Sequence, residues 1–327
     1  MSASPGATGS HLAAIDVGTN SFHLVVVRLT ANGYAVVERR VETIRLGHGL
    51  VDTGMLAPEA IERGVAALVR MKRIADVHAA PVRAVATSAV RTARNAGTFL
   101  ERARHEAGVD IEVVSGLDEA RLIHLGVLQA IPVHDRRLLL VDVGGGSTEL
   151  LIGRAGDTLA ATSLELGAVR LTDRFFPEGH VDPDAVAECR AAIESAIEPF
   201  AVRAAEVGFD LTIASSGTAL SLVSMASARA GASGGGTVRS GDHVTIDEID
   251  AIADALVGHR STAERRSVPG LDPRRADIIV AGVLILQSVA HALGVATIVY
   301  SASALREGIV VDTLARIGMG AVDGLSR

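Results

Sequence analysis

Short apolar runs of strand length alternate along the chain with longer runs that have an apolar residue at every third or fourth position. Residues 12–28 and 138–154 each contain two apolar runs separated by small polar residues, a pattern typical of a β-hairpin. The helical spacing is clear at 58–77, 90–106 and 184–207. The alternation of strands with helices predicts an α/β fold.

The two hairpin segments also resemble each other residue by residue. The first reads LAAIDVGTNSFHLVVVR over 12–28 and the second reads LLLVDVGGGSTELLIGR over 138–154, so that Asp16 aligns with Asp142. More β-prone sequence follows each copy, and strands and helices then alternate in both halves. This similarity indicates an internal duplication and predicts two related α/β domains that face each other.

We predict three regions from these patterns. Residues 1–11 form a disordered tail, residues 12–130 the first α/β domain, and residues 131–327 the second. A predicted helix over 304–315 is able to return to the first domain. The tail has neither a basic start nor an apolar stretch, so it is not a secretory signal.

Composition narrows the class of protein. Hydrophobic residues make up 48% of the chain and aromatic residues 2%, which favours an aliphatic core of strands covered by helices. The formal net charge of −7 gives no support to nucleic-acid binding. The single Cys189 excludes an intrachain disulfide, and the absence of a disulfide framework favours a cytoplasmic location.

One apolar stretch, 278–300, is long enough to raise the question of a membrane span. It contains the polar residues Gln287 and His291, and Gly294 divides it into a helix followed by a strand. We interpret it as a buried helix and strand of a protein without a membrane segment.

The small residues of the two hairpin loops suggest a common chemistry. Exposed backbone N–H groups and hydroxyls in such loops bind phosphate oxygens, and the aspartates Asp16 and Asp142 at the strand ends are suited to a divalent cation. The three consecutive glycines 144–146 indicate that a ligand approaches the backbone closely.

Three further features are candidates for binding or catalysis. The loop Ser216–Thr218, which includes Gly217, lies between a predicted strand and a helix, where an anion or a nucleotide binds, although a simple helix cap explains it equally well. Glu119 is suited to orient water for attack on phosphate, but either it or Asp118 could instead serve the helix start. Arg91 and Arg94, beside Ser88 and Thr92, suit phosphate recognition, with solvated helix charges as the alternative.

Seven segments together resemble the exopolyphosphatase and guanosine-pentaphosphate phosphohydrolase family, in order from about residue 12 to residue 315. They are DVGTNS (16–21), RLGHGL (45–50), ATSAVRTARN (86–95), SGLDEARLI (115–123), DVGGGSTEL (142–150), ASSGTA (214–219) and ASALREGI (302–309). The resemblance implies two ribonuclease-H-like domains of the actin, sugar-kinase and heat-shock chaperone ATPase superfamily, with the active site in the cleft between them. It also implies a homodimer.

The resemblance further implies roles for individual residues. Glu119 takes the position of the glutamate that activates the attacking water, and Glu149 that of a second acidic residue supporting the water or the metal. Asp142 takes the position of the metal-associated aspartate, Asp16 that of its counterpart, and Arg91 that of an arginine facing the phosphates. The phosphate-binding loops correspond to Gly18, Thr19, Asn20, Ser21, Gly144, Gly145, Gly146, Ser147 and Thr148.

The implied reaction is removal of terminal phosphate from inorganic polyphosphate with Mg²⁺ or Mn²⁺ as cofactor. Long family members continue into a further helical domain, and the end of this sequence at Arg327 favours short chains or pppGpp as substrate. Arg45, Arg170 and Arg306 are candidates for extra phosphate contacts, with structural salt bridges as the alternative.

Three alternative functions stay open. The first is hydrolysis of pppGpp to ppGpp, which the motifs do not separate from the polyphosphate reaction. The second is a non-catalytic sensor of nucleotide or polyphosphate, which has no need of a carboxylate such as Glu119. The third is a kinase of the wider superfamily, which the short SSGTA loop disfavours.

Overall fold

The computed structural model describes residues 9–31, 33–131, 133–231 and 237–318, which form two compact units. The first unit extends to His134 and resumes at Ser303, and the second consists of Asp135–Ala302. Residues 1–8 of the predicted tail lie outside the described residues. Gly9 and Ser10 are not a disordered tail, because Gly9 donates to the Leu29 carbonyl and the Leu29 N–H donates to that of Ser10.

Each unit contains one mixed sheet. The strands of the first are β1 (His11–Val17), β2 (Ser21–Thr30), β3 (Gly33–Thr43), β4 (Val82–Ala86) and β5 (Ile111–Val113). Those of the second are β6 (Leu138–Val143), β7 (Thr148–Arg154), β8 (Asp157–Leu164), β9 (Leu211–Ser215), β10 (His243–Thr245) and β11 (Thr297–Tyr300).

The strand orders show the duplication directly. The first sheet has the order β3-β2-β1-β4-β5, with β1–β3 antiparallel and β4 and β5 added parallel to β1. The second has β8-β7-β6-β9-β11 in the same directions, and β10 is an additional antiparallel edge strand. This repeated order confirms the predicted pair of related, ribonuclease-H-like α/β domains.

Helices cover both sheets. They are α1 (Leu50–Thr53), α2 (Pro58–Val77), α3 (Ser88–Thr92), α4 (Ala96–Ala107), α5 (Gly116–Ala130), α6 (Ala168–Phe175), α7 (Pro183–Val207), α8 (Ser216–Arg229), α9 (Ile246–Gly258), α10 (Thr262–Arg265), α11 (Ile279–Ala292) and α12 (Leu305–Arg316). Short 3₁₀ turns lie at Pro177–Gly179 and Pro273–Arg275. Each unit has its own aliphatic core of strand and helix residues.

The prediction of one helix over 90–106 is wrong. The segment forms α3 and α4, with Ala93 in an extended conformation between them. The break is held by residues distant in sequence, because the Arg94 N–H donates to the Gly54 carbonyl and the Asn95 side chain binds both backbone groups of Leu56. The bond to Gly54 gives the Arg94 N–H the backbone partner that a continuous helix would have supplied.

The apolar segment 278–300 folds as predicted into a helix and a strand. Nearly all of α11 is buried, and β11 joins the second sheet. Among the described residues, no helix is both long and apolar enough to cross a membrane.

Cys189 lies on the inner side of α7 and is inaccessible to solvent. Burial raises the pKa of its thiol to about 12, so the reactive thiolate is scarce at neutral pH. We expect iodoacetamide to leave the native protein unmodified at pH 8 and to label it fully in denaturant, as read by intact mass. Rapid labelling of the native protein would show that α7 opens readily.

Candidate functional site

Three parallel strands of the first sheet end at one edge. Val17 of β1 lies beside Ala86 of β4, and Ala86 lies beside Val113 of β5. The segments that follow these strands therefore start from the same edge of the sheet, which is the usual position of ligand sites in α/β folds. Most of the predicted site residues of the first unit lie in these segments.

Glu119 is a buried carboxylate at the start of α5. Its side chain is 9% exposed, and its Oε2 accepts a hydrogen bond from Nη1 of Arg91 at 3.0 Å. The same Arg91 nitrogen donates to the carbonyl of Val114 at 3.1 Å, which fixes the guanidinium between α3 and α5. An arginine this close favours the charged form of a carboxylate, which is the form that accepts a proton.

The N-terminal cap of α5 is formed by Ser115 and Asp118 and not by Glu119. The hydroxyl of Ser115 accepts from the Asp118 N–H at 3.1 Å and donates to the Asp118 carboxylate at 2.6 Å. Asp118 is exposed, whereas Glu119 is buried. Asp118 therefore serves the helix start, and Glu119 is left for another role.

The two arginines of the ATSAVRTARN segment have different surroundings. Arg91 contacts Glu119, whereas Nη2 of Arg94 donates to the carbonyl of Thr53 at 2.6 Å. The Arg94 guanidinium also lies against Gly54, where an added Cβ would be 3.0 Å from Nε. Arg94 thus holds the loop at residues 53–54, and Arg91 is the arginine that lies beside the buried carboxylate.

The first hairpin loop connects β1 to β2. An added Cβ at Gly18 would lie 2.7 Å from the Ser21 carbonyl oxygen, so the turn itself requires glycine there. Asn20 donates from its side chain to the Ser21 hydroxyl at 3.2 Å. Asp16 is paired with His23 across the two strands, which places both side chains on one face of the sheet.

The second unit repeats this geometry. β6, β9 and β11 are parallel neighbours, so the residues that follow them share one edge of the sheet. Asp142 near the end of β6 accepts a hydrogen bond from the Ser215 hydroxyl at the end of β9. Burial raises the pKa of Asp142 to about 6, and the bond from Ser215 acts in the opposite direction.

Glu149 lies directly opposite Asp142 across β6 and β7. Its side chain is buried, and its Oε1 accepts from the Ser163 hydroxyl at 2.7 Å. Two carboxylates in opposite positions repel each other when both are charged. A bound cation would remove that cost.

The second hairpin loop, residues 144–147, is partly explained by its own turn. The Gly144 N–H donates to the Ser147 carbonyl at 3.0 Å, and an added Cβ at Gly144 would be 3.2 Å from that oxygen. The Thr148 hydroxyl is buried and donates to the Leu166 carbonyl at 2.6 Å. This proton of Thr148 is therefore committed to the protein and not directed at a phosphate.

The loop Ser216–Thr218 opens α8. Ser216 has a φ of 86°, a left-handed conformation that is unfavourable for a residue other than glycine. Arg275 lies over Gly217, where an added Cβ would overlap its guanidinium, and donates from Nη2 to the Thr218 hydroxyl at 3.3 Å. Arg275 thus lies against this loop, and a loop that only capped the helix would not require an arginine there.

The donor atoms fit a hard divalent cation. Asp142 and Glu149 offer carboxylate oxygens, the ligands that Mg²⁺ prefers. Across the described part of the chain, no three His, Cys, Asp or Glu side chains are clustered as a complete metal cage. Mg²⁺ commonly binds through one or two carboxylates, with water and substrate phosphates completing its shell.

Sequence reasoning missed the residues that hold the acidic side chains. Ser215 fixes Asp142 and Ser163 fixes Glu149, although neither residue was predicted to hold a carboxylate. Ser215 immediately precedes the predicted loop and was open to inference from a parallel pairing of β6 with β9. Ser163 had no such signal, because its role depends on the register between β7 and β8.

The chain is similar to a known phosphatase family and to several solved structures. The Ppx/GppA phosphatase family matches residues 25–317. An exopolyphosphatase from Cytophaga hutchinsonii is 28% identical with a TM-score of 0.85, and the match covers 94% of this chain and 98% of that one. The Ppx/GppA family member from Aquifex aeolicus is 26% identical with a TM-score of 0.76, over 94% and 98% of the two chains.

A third solved structure, of an exopolyphosphatase-like protein, is 30% identical with a TM-score of 0.84 over 95% of this chain and 99% of that one. The family match spans most of the chain, including Glu119, Asp142, Glu149 and the glycine-rich loop of the second unit. The chain therefore belongs to the Ppx/GppA phosphatase family and is a phosphoric anhydride hydrolase.

Proposed function

We propose that the protein is an exopolyphosphatase that releases terminal orthophosphate from inorganic polyphosphate, with a preference for short chains. The observation that carries the proposal is the buried Glu119, paired with Arg91 at the sheet edge that also bears the loop 18–21. The similar protein from Cytophaga hutchinsonii is described as an exopolyphosphatase, which supports the choice of substrate.

In the proposed reaction a water oxygen attacks the terminal phosphorus. The bond from that phosphorus to the bridging oxygen breaks, and the electron pair leaves with the shortened polyphosphate chain. Glu119, which is held in place by its hydrogen bond from Arg91, accepts the proton of the water. The products are orthophosphate and a chain shorter by one phosphate.

The hairpin loops supply the binding groups in this proposal. The N–H groups and hydroxyls of residues 18–21 and 144–147 bind the phosphate oxygens, and catalysis rests on position and charge stabilisation. In the second unit Asp142 and Glu149 would hold Mg²⁺ or Mn²⁺, and Asp16 is the corresponding candidate in the first unit. The cation would offset the negative charge of the phosphates.

Asp142 gives a direct test of the metal role. Replacing Asp142 with asparagine removes a charged oxygen donor and keeps the side-chain size. We expect the Mg²⁺ concentration for half-maximal phosphate release to rise by at least about 10-fold, the range seen when metal sites lose supporting groups. The measurement is a Mg²⁺ titration at saturating triphosphate.

The matched control is Asp157→Asn, an exposed aspartate at the start of β8 in the same sheet. Its Mg²⁺ titration should match that of the unmodified protein. An unchanged titration in Asp142→Asn would exclude Asp142 as a metal ligand.

The substrate is tested by phosphate release in the presence of Mg²⁺. Triphosphate, long polyphosphate and pppGpp are compared at equal concentrations of terminal groups. The proposal expects the highest kcat/KM for triphosphate. Faster release from long polyphosphate would contradict the short-chain preference, while absence of release with retained binding would favour the sensor.

The alternative substrate is pppGpp, and one observation favours it. Arg275 contacts Thr218 beside the strained Ser216, a basic position suited to a further anionic or nucleotide group. If kcat/KM is highest for pppGpp, the substrate is pppGpp and not polyphosphate. The cytoplasmic location stays a prediction from the absence of a disulfide framework, and the homodimer stays one from the family resemblance. Sedimentation velocity would test the dimer.

A further inference from the structure

The three carbonyl groups of the glycine loop all point toward one structural element. The backbone N–H of Ala168 donates to the Gly144 carbonyl at 2.9 Å. Those of Val169 and Arg170 donate to the Gly145 carbonyl at 2.9 and 3.1 Å. The first turn of α6 therefore binds two of the three carbonyls through its otherwise unsatisfied N–H groups.

The third carbonyl is bound by a side chain. Nε of Arg170 donates to the Gly146 carbonyl at 2.9 Å. The Arg170 side chain is 19% exposed, and its Nη1 contacts the largely exposed Glu165 at 3.1 Å. The Gly146 carbonyl is bound by a side chain, which a substitution can remove. The other two carbonyls are bound by backbone groups.

Gly167 permits this close approach of α6 to the loop. A Cβ at Gly167 would overlap the Gly145 carbonyl and the Gly146 nitrogen. Its own φ of −140° suits any residue, so space and not backbone conformation requires glycine here.

A trans peptide directs its C=O and its N–H to opposite sides. Fixing the carbonyls of residues 144–146 toward α6 therefore fixes the N–H groups of residues 145–147 away from it. In the described part of the chain these three N–H groups donate to no protein acceptor. Such a row of N–H groups forms a nest for an anion.

We propose that Arg170 is a positioning residue for phosphate binding. By holding the Gly146 carbonyl it keeps the Ser147 N–H on the ligand side of the loop, without touching the ligand itself. Glycine permits many backbone conformations, so the peptide between Gly146 and Ser147 could turn over if this bond were lost. The inference rests on the proposed function, in which this loop binds polyphosphate.

The first unit also fixes the carbonyl groups of its hairpin loop, but with other groups. The Thr19 carbonyl accepts from the Gly47 N–H at 3.0 Å, and the Asn20 carbonyl accepts from Ile44 and Arg45 at 2.9 and 2.8 Å. Backbone groups alone hold these carbonyls, and the RLGHGL segment supplies most of them. The second loop therefore differs in its dependence on an arginine side chain.

The kinetic test compares Arg170→Met with Glu165→Gln. Arg170→Met keeps an apolar stem and removes the donor, and we expect kcat/KM for triphosphate to fall roughly 10- to 100-fold, mainly through KM. Glu165→Gln removes the exposed partner of Arg170 and should retain both constants. A merely structural role would lower the melting temperature and the active fraction but leave KM unchanged.

A second measurement uses the unmodified protein and does not depend on turnover. Tripolyphosphate added without divalent cation should shift the ¹H–¹⁵N resonances of Gly145, Gly146 and Ser147, and the Ser147 shift should be lost in Arg170→Met. Unshifted resonances in the unmodified protein would overturn the inference even if Arg170→Met failed to fold. Normal KM in a folded Arg170→Met would also overturn it.

The two proposals fail in different ways. If the protein releases no phosphate from any substrate, while the three amides shift and Arg170→Met abolishes the Ser147 shift, the hydrolytic proposal is wrong and the role of Arg170 stands. If phosphate is released but Arg170→Met retains its KM, the hydrolytic proposal stands and the role of Arg170 is wrong.

Discussion

Replacing Glu119 with glutamine is expected to lower kcat for phosphate release by about 10²–10⁴, the usual contribution of a general base. Glutamine keeps the shape of the buried side chain and its contact with Arg91 but accepts no proton at neutral pH. KM should change little, because the phosphate-binding loops are untouched. The measurement is steady-state release of phosphate from triphosphate at saturating Mg²⁺.

Asp118→Asn is the matched control for Glu119→Gln. Asp118 is the preceding residue in the same helical turn, is exposed and belongs to the cap of α5. Its replacement should cost about 1 kcal/mol of stability or less and leave kcat near normal. Full turnover in Glu119→Gln, with an unchanged circular dichroism spectrum, would remove Glu119 from the role of base.

Replacing Gly308 with alanine is expected to destabilise the first unit by at least about 3 kcal/mol, at the upper end of overpacking effects. Helices α5 and α12 pack through paired glycines. A Cβ at Gly308 would overlap the carbonyl of Leu122, and one at Gly126 would overlap the carbonyl of Ala304. Backbone atoms on both sides leave little room to relax, so the helices must separate.

Thermal unfolding measures this effect. A loss of about 3 kcal/mol should lower the melting temperature by roughly 6–12 °C in a unit of this size. Gly97→Ala is the control, because Gly97 is helical and a Cβ there meets nothing within 4 Å. That variant should be unchanged or more stable by up to about 1 kcal/mol. Equal melting temperatures for the two variants would contradict the packing argument.

The paired hairpins were predictable because their signal is local. Apolar runs of strand length, joined by an aspartate and glycines, determine both strands and the turn between them. Helix α2 was predicted with its observed bounds, Pro58–Val77, because proline at the start and regular apolar spacing act within the segment itself. Equivalent positions in the two copies then led correctly to two related domains.

Features that depend on distant contacts were not predictable. The break after α3 requires Gly54 and Leu56, and the fixing of Asp142 requires the register that brings Ser215 beside it. The glycines illustrate the same limit. The sequence suggested that a ligand excludes side chains at Gly144, whereas in the structure a Cβ there would already lie 3.2 Å from the turn's own Ser147 carbonyl.

The chain path has a consequence for synthesis on the ribosome. The first unit is discontinuous: the chain leaves it after His134, forms the whole second unit and resumes at Ser303. Arg121 of α5 and Asp312 of α12, which form an ion pair, are 191 positions apart. The emerging chain therefore has the complete second unit available before α12 can close the first.

Until α12 is translated, the surface of α5 around Gly126 has no helix packed against it. Early folding of residues 135–302 would replace a long flexible insertion with a compact body and change the entropy of the final closure. The last event of synthesis would then be the docking of a short helix, and nascent chains stalled before residue 305 would expose this surface to chaperones.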